Sequence, residues 1–140
     1  MKKSKIAGIA FNVPDNIVTN HDIEEMMDTT DEWIQTRSGI KERRWVLPGT
    51  PNSDLALPAC VQAIENAGIS PNDIDAIIVG TVSSDYNFPG MGPIIQRKLG
   101  IKKNIPAYDI SAACSAFTYL LEMGDPVSYT HLTLPTTSTV

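Results

Sequence analysis

The chain has 140 residues, of which 42% are hydrophobic and 19% charged, a balance typical of a folded globular protein rather than a disordered or fibrous one. Its net charge of −5 argues against a broad nucleic-acid or anionic-membrane surface, because such partners require positive potential. No apolar stretch reaches the roughly 20 residues of a membrane-spanning helix. The two cysteines lack disulfide-type or metal-type spacing, so the cytoplasm is the expected compartment.

The first apolar segment, Ile6 to Val13, is predicted to be a buried strand. Lysines precede it, as in a signal peptide, but Asn12 interrupts the apolar run and no small-residue cleavage site follows. The proline at position 14, followed by Asp and Asn, predicts a turn.

Two helices are predicted after this turn. Asn20 is the expected cap of the first, and Thr29 and Glu32 have the spacing of a capping box that opens the second. On the second helix Trp33 and Arg37 are four residues apart, so they share one face. Together they offer a stacking platform and an anion contact, whereas each taken singly is also explained as a core aromatic or a solvated arginine.

The middle of the chain predicts one exposed element and one longer helix. Ile40 to Leu47 is basic and loosely alternating, which indicates an exposed strand or hairpin arm. Ser53 is the expected cap of a helix that Gly68 ends. Pro58 is expected to kink this helix or to mark its true start, since an internal proline removes a backbone hydrogen bond.

The longest apolar run, Ile74 to Val82, predicts a central strand that is covered on both faces. A helix that stops at Gly100 and a short strand from Ala107 to Ile110 follow. Because strands alternate with helices, right-handed crossovers and a mostly parallel sheet are expected. The predicted fold class is therefore α/β.

Small residues from Ser111 to Ala116 join the last strand to an apolar helix and place Cys114 at the start of that helix. A cysteine there faces backbone N–H groups and the positive end of the helix dipole, which favour the thiolate and an oxyanion site beside it. The alternative is a buried cysteine that only packs. No histidine partner is evident from the spacing.

Three stretches carry a resemblance to a known family, in that family's order and spacing: 28–43 (DTTDEWIQTRSGIKER), 87–90 (NFPG) and 108–117 (YDISAACSAF). They resemble β-ketoacyl-acyl-carrier-protein synthase III, a thiolase-superfamily condensing enzyme. The resemblance implies a thiolase-like layered fold with a buried nucleophile helix, of which this chain holds most of the first half. Ala116 departs from the pattern, because the family usually has glycine there.

The resemblance also implies a role for each matching side chain. Cys114 is expected to accept an acyl group from a coenzyme A thioester. Trp33 is expected to stack on the adenine, Arg37 to contact the nucleotide end and Thr29 to hydrogen-bond near the base. Phe88 matches a residue that reaches across a dimer interface to shape the neighbouring acyl pocket, so a homodimer is expected.

The reaction that the resemblance implies initiates fatty-acid biosynthesis. Malonyl-acyl-carrier protein loses carbon dioxide and its carbanion attacks the acyl group on the cysteine, with acyl-CoA as a substrate and with no separate cofactor or metal. The family's histidine and asparagine come from the second half of the fold, and neither His21 nor His131 matches them. The chain alone is therefore expected to be inactive.

Several other interpretations stay open at this point. Another thiolase-superfamily ketosynthase, an enzyme like hydroxymethylglutaryl-CoA synthase and a non-catalytic coenzyme A-binding module would share these features. Cys60 is expected to be structural. A basic patch is explained by solvation or by support of phosphates, and comprises Lys41, Arg43 and Arg44. A polar run without a base is expected to be a strand-end loop rather than a hydrolase site, and comprises Thr81, Ser83, Ser84 and Asp85.

The tail differs from the rest of the chain. Residues 1–125 are predicted to form the thiolase-like half-domain, whereas residues 126–140 lose helical periodicity and are rich in Thr and Ser. Residues 127–136 resemble a translated transposase-derived sequencing adapter, so the tail is hypothesised to be non-native. Resequencing the locus from an unamplified template tests this hypothesis, and native codons that continue through the tail would end it.

Overall fold

The computed structural model describes residues 4–127. Helices and strands alternate along the chain, as follows: β1 (Ile17–Thr19), α1 (Asn20–Glu24), α2 (Asp31–Ser38), β2 (Glu42–Arg44), α3 (Asn52–Ala67), β3 (Ile77–Gly80), α4 (Met91–Lys98), β4 (Ala107–Ile110) and α5 (Ala116–Val127). Two short 3₁₀ turns, Pro71–Asp73 and Ala113–Ser115, precede β3 and α5. None of the helices in this part of the chain is long and apolar enough to cross a membrane.

Two strand pairs organise the fold. β3 and β4 are parallel, with Ile77 opposite Ala107, and α4 connects them and packs on both. This crossover is the predicted α/β arrangement, although β3 is shorter than the apolar run from which it was predicted. β1 and β2 form a separate antiparallel pair, with Ile17 opposite Arg44, so the basic stretch contains the exposed strand that the sequence predicts as one of two alternatives.

The core lies between α4 and the parallel pair. Met91, Ile94 and Ile95 on one side of α4 are buried, as expected of an amphipathic crossover helix. α5 packs on β3 through Ala116, and a Cβ added to Gly80 would lie 2.7 Å from the Cβ of Ala116. The predicted nucleophile helix is thus covered on one side, and within residues 4–127 its other side leaves apolar residues exposed: Phe117, Tyr119 and Leu121.

The predicted strand from Ile6 to Val13 is wrong. These residues form no strand, and Phe11 is 84% exposed. A strand needs a neighbour that satisfies its backbone groups, but here the segment runs along α3 instead. The Asn66 side chain of α3 donates to the Ile9 carbonyl oxygen at 2.9 Å. A Cβ on Gly8 would lie 2.2 Å from a backbone oxygen of α3, so only glycine permits this approach.

The predicted caps of α1 and α2 are each displaced by one residue. Thr19 caps α1 in a reciprocal capping box, so Asn20 is the first helical residue rather than the cap. Thr30 caps α2 by accepting a hydrogen bond from a backbone N–H three residues on, at 3.1 Å, and Thr29 lies outside the helix. Gly39 ends α2 in the left-handed region, with φ 71°, as a C-terminal glycine commonly does.

α3 runs from Asn52 to Ala67 with Pro58 inside it, so the expected later start is wrong, and Ser53, the expected cap, is the second residue of the helix. Its amino terminus is capped from outside, because the Asp85 carboxylate accepts a hydrogen bond from the Ser53 N–H at 3.1 Å. Burial raises the pKa of the Asp85 carboxyl, but hydrogen bonds from Ser53 and Asn52 outweigh it and hold this pKa below its ordinary value. Lys98 of α4 donates to the buried Ser53 hydroxyl at 2.6 Å. The polar loop after β3 therefore has a structural explanation.

Candidate active site

Cys114 lies in the 3₁₀ turn that connects β4 to α5, and its side chain is exposed. Ala113, directly before it, has φ 45° and is the one non-glycine residue with a positive φ between residues 4 and 127. This left-handed conformation costs about 1–2 kcal/mol, and the surrounding strand-to-helix turn holds it. The turn presents the sulfur at the amino end of α5, where backbone N–H groups and the helix dipole favour negative charge.

Cys60 has a different environment. It lies inside α3 and is partly buried, and burial raises the pKa of its thiol above the ordinary value. A raised thiol pKa lowers the thiolate fraction at neutral pH and so lowers reactivity. This environment agrees with the structural role expected for Cys60.

The contrast between the cysteines predicts selective alkylation. We expect iodoacetamide at about neutral pH to modify Cys114 several-fold faster than Cys60, because the first thiol is exposed and the second is half-buried with a raised pKa. Timed quenching followed by peptide mass spectrometry gives both rates. In denaturant the two rates should converge, and a native Cys60 rate equal to that of Cys114 would contradict the assignment.

The outer face of α2 carries an aromatic–guanidinium pair. The Arg37 Cζ atom lies 5.7 Å from the centroid of the Trp33 ring, within the range of a cation–π contact. Trp33 is 58% exposed, so this residue is accessible from solvent. The predicted common face is confirmed. Thr29 lies two residues before α2 and is half-buried.

Phe88 lies in the loop before α4, and its side chain is 90% exposed. The Asp109 carboxylate holds the end of this loop, since its two oxygens accept hydrogen bonds from the N–H groups of Met91 and Gly92, both at 2.6 Å. Ser84 donates to the same carboxylate at 3.3 Å. The stretch that contains Phe88 is therefore attached to the strand that leads into the turn of Cys114.

Asp109 was not singled out from the sequence. The available signal was an acidic residue within a short strand, beside a glycine-flanked helix start. A Cβ on Gly90 would lie 2.5 Å from an Asp109 carboxylate oxygen, and one on Gly92 would lie 2.6 Å from the Tyr108 nitrogen. Glycine at both positions lets the amino end of α4 approach the carboxylate and the backbone of β4.

The two groups of candidate residues lie on different parts of the fold. α2 packs against α1, whereas α5 packs against β3.

His21 lies in α1 and pairs with Glu24 at 3.0 Å. His131 and the adapter-like residues 128–136 lie outside the described residues, and the proposed boundary at residue 125 stays a prediction, with α5 extending to Val127. Within residues 4–127, no cluster of three or more His, Cys, Asp or Glu side chains is placed to hold a metal ion.

The connection between α1 and α2 depends on carboxylates. Hydrogen bonds from Asn20 and then Gln35 lower the pKa of Asp31, and hydrogen bonds from His21 and then from the Asp31 N–H lower the pKa of Glu24. A lowered folded-state pKa contributes stability that is present above the unfolded value, about 4. This stability is lost as the pH falls through the lower folded value.

We therefore expect an acid-sensitive fold. The melting temperature, followed by circular dichroism, should be nearly constant from about pH 7 to 5 and should fall below about pH 4. The variant Asp31→Asn should melt lower at neutral pH and should show a shallower fall in acid, since it cannot lose that charge. An acid limb identical to that of the unaltered chain would rule out the contribution of Asp31.

Comparison with solved structures identifies the fold class of the chain. No protein-family model matches the chain. The solved structure of 3-oxoacyl-[acyl-carrier-protein] synthase III from Aquifex aeolicus superposes with a TM-score of 0.85 at 40% identity, over 91% of this chain and 41% of that one. A priming β-ketosynthase of a polyketide pathway gives a TM-score of 0.80 at 32% identity, over 85% of this chain and 35% of that one. The fold class is the thiolase-like α/β fold.

Sequence comparison shows which proteins of this fold class are similar to the chain. The β-ketoacyl-[acyl-carrier-protein] synthase III of Fusobacterium nucleatum is 48% identical over 123 residues, which are 88% of this chain and 37% of the relative. A synthase III of Vibrio parahaemolyticus is 49% identical over 87% of this chain and 38% of its own length. The resemblance predicted from the sequence is confirmed: the chain is homologous to β-ketoacyl-[acyl-carrier-protein] synthase III. It spans less than half the length of these relatives.

Proposed function

We propose that the protein works as a decarboxylative condensing enzyme that transfers an acyl group through Cys114. The observation that carries the proposal is an exposed cysteine at the strand-to-helix turn before α5. The chain that contains it is 48% and 49% identical in sequence to two β-ketoacyl-[acyl-carrier-protein] synthases III. Backbone amides at such a turn favour a thiolate and can stabilise the oxyanion of acyl transfer. The proposed process is the initiation of fatty-acid biosynthesis.

The first half-reaction is transthioesterification. The Cys114 thiolate attacks the carbonyl carbon of an acyl-CoA, the bond from that carbon to the coenzyme A sulfur breaks, and the coenzyme A thiolate takes up a proton. The acyl group is then bound to Cys114 as a thioester. A short acyl chain is part of the proposal.

The second half-reaction uses malonyl-acyl-carrier protein. Its carboxylate leaves as carbon dioxide, and the electron pair of the broken carbon–carbon bond remains as an enolate. The enolate carbon attacks the acyl carbonyl, the bond to Cys114 breaks, and β-ketoacyl-acyl-carrier protein and the free thiolate result. Among residues 4–127 no side chain is assigned to stabilise this enolate. Condensation by this chain alone is therefore not part of the proposal.

Recognition of the coenzyme A nucleotide is assigned to α2. Trp33 offers an exposed ring for the adenine and Arg37, stacked at 5.7 Å, offers a cation for the phosphate end. Thr29 is placed at the entry to the same helix. These roles come from the matching family stretch and are supported by the shared face of the two side chains.

A homodimer and a cytoplasmic location complete the proposal. Phe88 presents an aromatic ring that is 90% exposed at the end of a fixed loop, and exposed aromatic side chains of this kind are common at subunit interfaces. The two cysteines are both free, which suits a reducing compartment.

The test uses the protein that the native gene encodes, incubated first with acetyl-CoA and then with malonyl-acyl-carrier protein. We expect a thioester on the protein after the first step, and carbon dioxide with a β-ketoacyl product after the second. Coenzyme A binding without acylation would instead favour a non-catalytic binding module. Acylation without use of malonyl-acyl-carrier protein would favour a ketosynthase with another acceptor.

A further inference from the structure

We propose that Asn20 is a positioning residue for coenzyme A binding, which holds α2 so that Trp33 and Arg37 face the nucleotide. This inference rests on the proposed function. The starting observation is that α2 has no buried residue. Helices in proteins are mostly held by burial of an apolar face, so hydrogen bonds are expected to contribute more than usual to the position of α2.

The Asn20 side chain supplies hydrogen bonds at both ends of the helix. Asn20 itself is buried, with 1% of its surface exposed. The Nδ2 group donates to the carboxylate of Asp31, the first residue of α2, at 2.7 Å. The same group donates to the carbonyl oxygen of Ile40, just beyond the carboxyl end of α2, at 2.8 Å. One amide therefore spans the helix from its first turn to the residues after its last.

The oxygen of the same amide is bound to the β1–β2 strand pair. The Asn20 Oδ1 atom accepts a hydrogen bond from the Arg43 guanidinium at 2.7 Å, and that guanidinium also donates to the Val18 carbonyl oxygen at 3.3 Å. Val18 and Arg43 are opposite each other in the β1–β2 pair. The Arg43 side chain therefore belongs to a hydrogen-bond network that joins the β1–β2 pair to α2, and it is not part of a solvated patch.

Loss of the amide has consequences for α2 because every polar atom of the Asn20 side chain is bonded. Removing it leaves the Ile40 carbonyl, a carboxylate oxygen of Asp31 and part of the Arg43 guanidinium without a partner, and such groups are costly when shielded from water. Water must then take the place of the amide, and α2 loses a side chain that bonds to both of its ends. The platform of Trp33 and Arg37 then loses its fixed orientation, and preorganised binding weakens.

The experiment measures binding of coenzyme A, by titration calorimetry, to the purified protein that the native gene encodes. We expect Asn20→Ala to weaken binding about tenfold or more. The matched control is Asn66→Ala, which removes an amide that also bonds a backbone carbonyl, on Ile9, and which should leave coenzyme A affinity unchanged. The rate of Cys114 alkylation should be unchanged in both variants.

A second pair of variants covers the case in which Asn20→Ala does not fold. Asn20→Asp replaces the donor with a carboxylate that faces Asp31, and should weaken binding through repulsion. Adding Asp31→Asn restores a hydrogen bond of reversed polarity between the two side chains, and should recover part of the affinity. This rescue is a coupling that two unrelated structural defects would not show.

The outcomes separate the two proposals. An unaltered protein that shows no affinity for coenzyme A would count against the proposed function itself. Binding by the unaltered protein that Asn20→Ala leaves unchanged would overturn the role of Asn20. Equal losses of affinity and of the Cys114 alkylation rate, or the absence of rescue by Asp31→Asn, would also overturn it.

Discussion

The variant Cys114→Ser should form no detectable acyl-enzyme with labelled acyl-CoA. A serine hydroxyl at neutral pH is almost wholly protonated and needs an adjacent base for activation, whereas a cysteine sulfur is intrinsically the stronger nucleophile. Loss of a covalent nucleophile lowers such rates by about three orders of magnitude or more. The measurement is label that stays with the protein after denaturation and gel filtration.

The chain offers its own control for this result. Cys60→Ser should retain full labelling, because Cys60 lies inside α3 and its thiol pKa is raised by burial. Undiminished labelling of Cys114→Ser would refute Cys114 as the acyl acceptor. Loss of labelling in both variants would point to a requirement for the fold rather than for one sulfur.

The variant Asp109→Ala should destabilise the fold by about 2–4 kcal/mol. The Asp109 carboxylate accepts hydrogen bonds at 2.6 Å from the N–H groups of Met91 and Gly92, and both of these residues are buried. A carboxylate at a helix amino terminus also interacts favourably with the helix dipole. Alanine would leave two buried donors unsatisfied and would detach α4 from β4. Urea unfolding followed by circular dichroism gives the free energy.

Two variants bracket this effect. Asp109→Asn retains one acceptor oxygen, so its loss should be intermediate. Asp75→Ala removes a carboxylate whose side chain is 90% exposed and pairs with Lys103, and an exposed pair of this kind is worth about 0–1 kcal/mol. An Asp109→Ala loss no greater than that of Asp75→Ala would show that the hydrogen bonds at α4 do not support the fold.

Local signals predicted much of the nucleophile region. Val79 and its neighbours form an apolar run between turn signals, and β3 lies within it. Residues 107–110 were predicted as a strand, and β4 has those limits. Glycines at 68 and 100 mark helix ends as predicted, with φ 68° and 72°. Each of these features depends on neighbours in the sequence, which is why a single sequence suffices.

Features that depend on distant partners could not be predicted. Ile6 to Val13 has the composition of a strand, but strand formation requires pairing that composition does not specify. The roles of Asn20 and Asp109 depend on contacts with residues 11 to 23 and 17 to 25 positions away. The positive φ of Ala113 is a property of the strand-to-helix turn rather than of alanine, which ordinarily avoids that region.

The acyl-accepting cysteine is the claim on which the account depends, and peptide mapping tests it most directly. The protein that the native gene encodes is incubated with acetyl-CoA, digested at low pH to preserve thioesters, and analysed by tandem mass spectrometry. The account predicts one acetyl group on the peptide that contains Cys114, removed by hydroxylamine. Acetylation confined to Cys60, or to lysines and resistant to hydroxylamine, would contradict it.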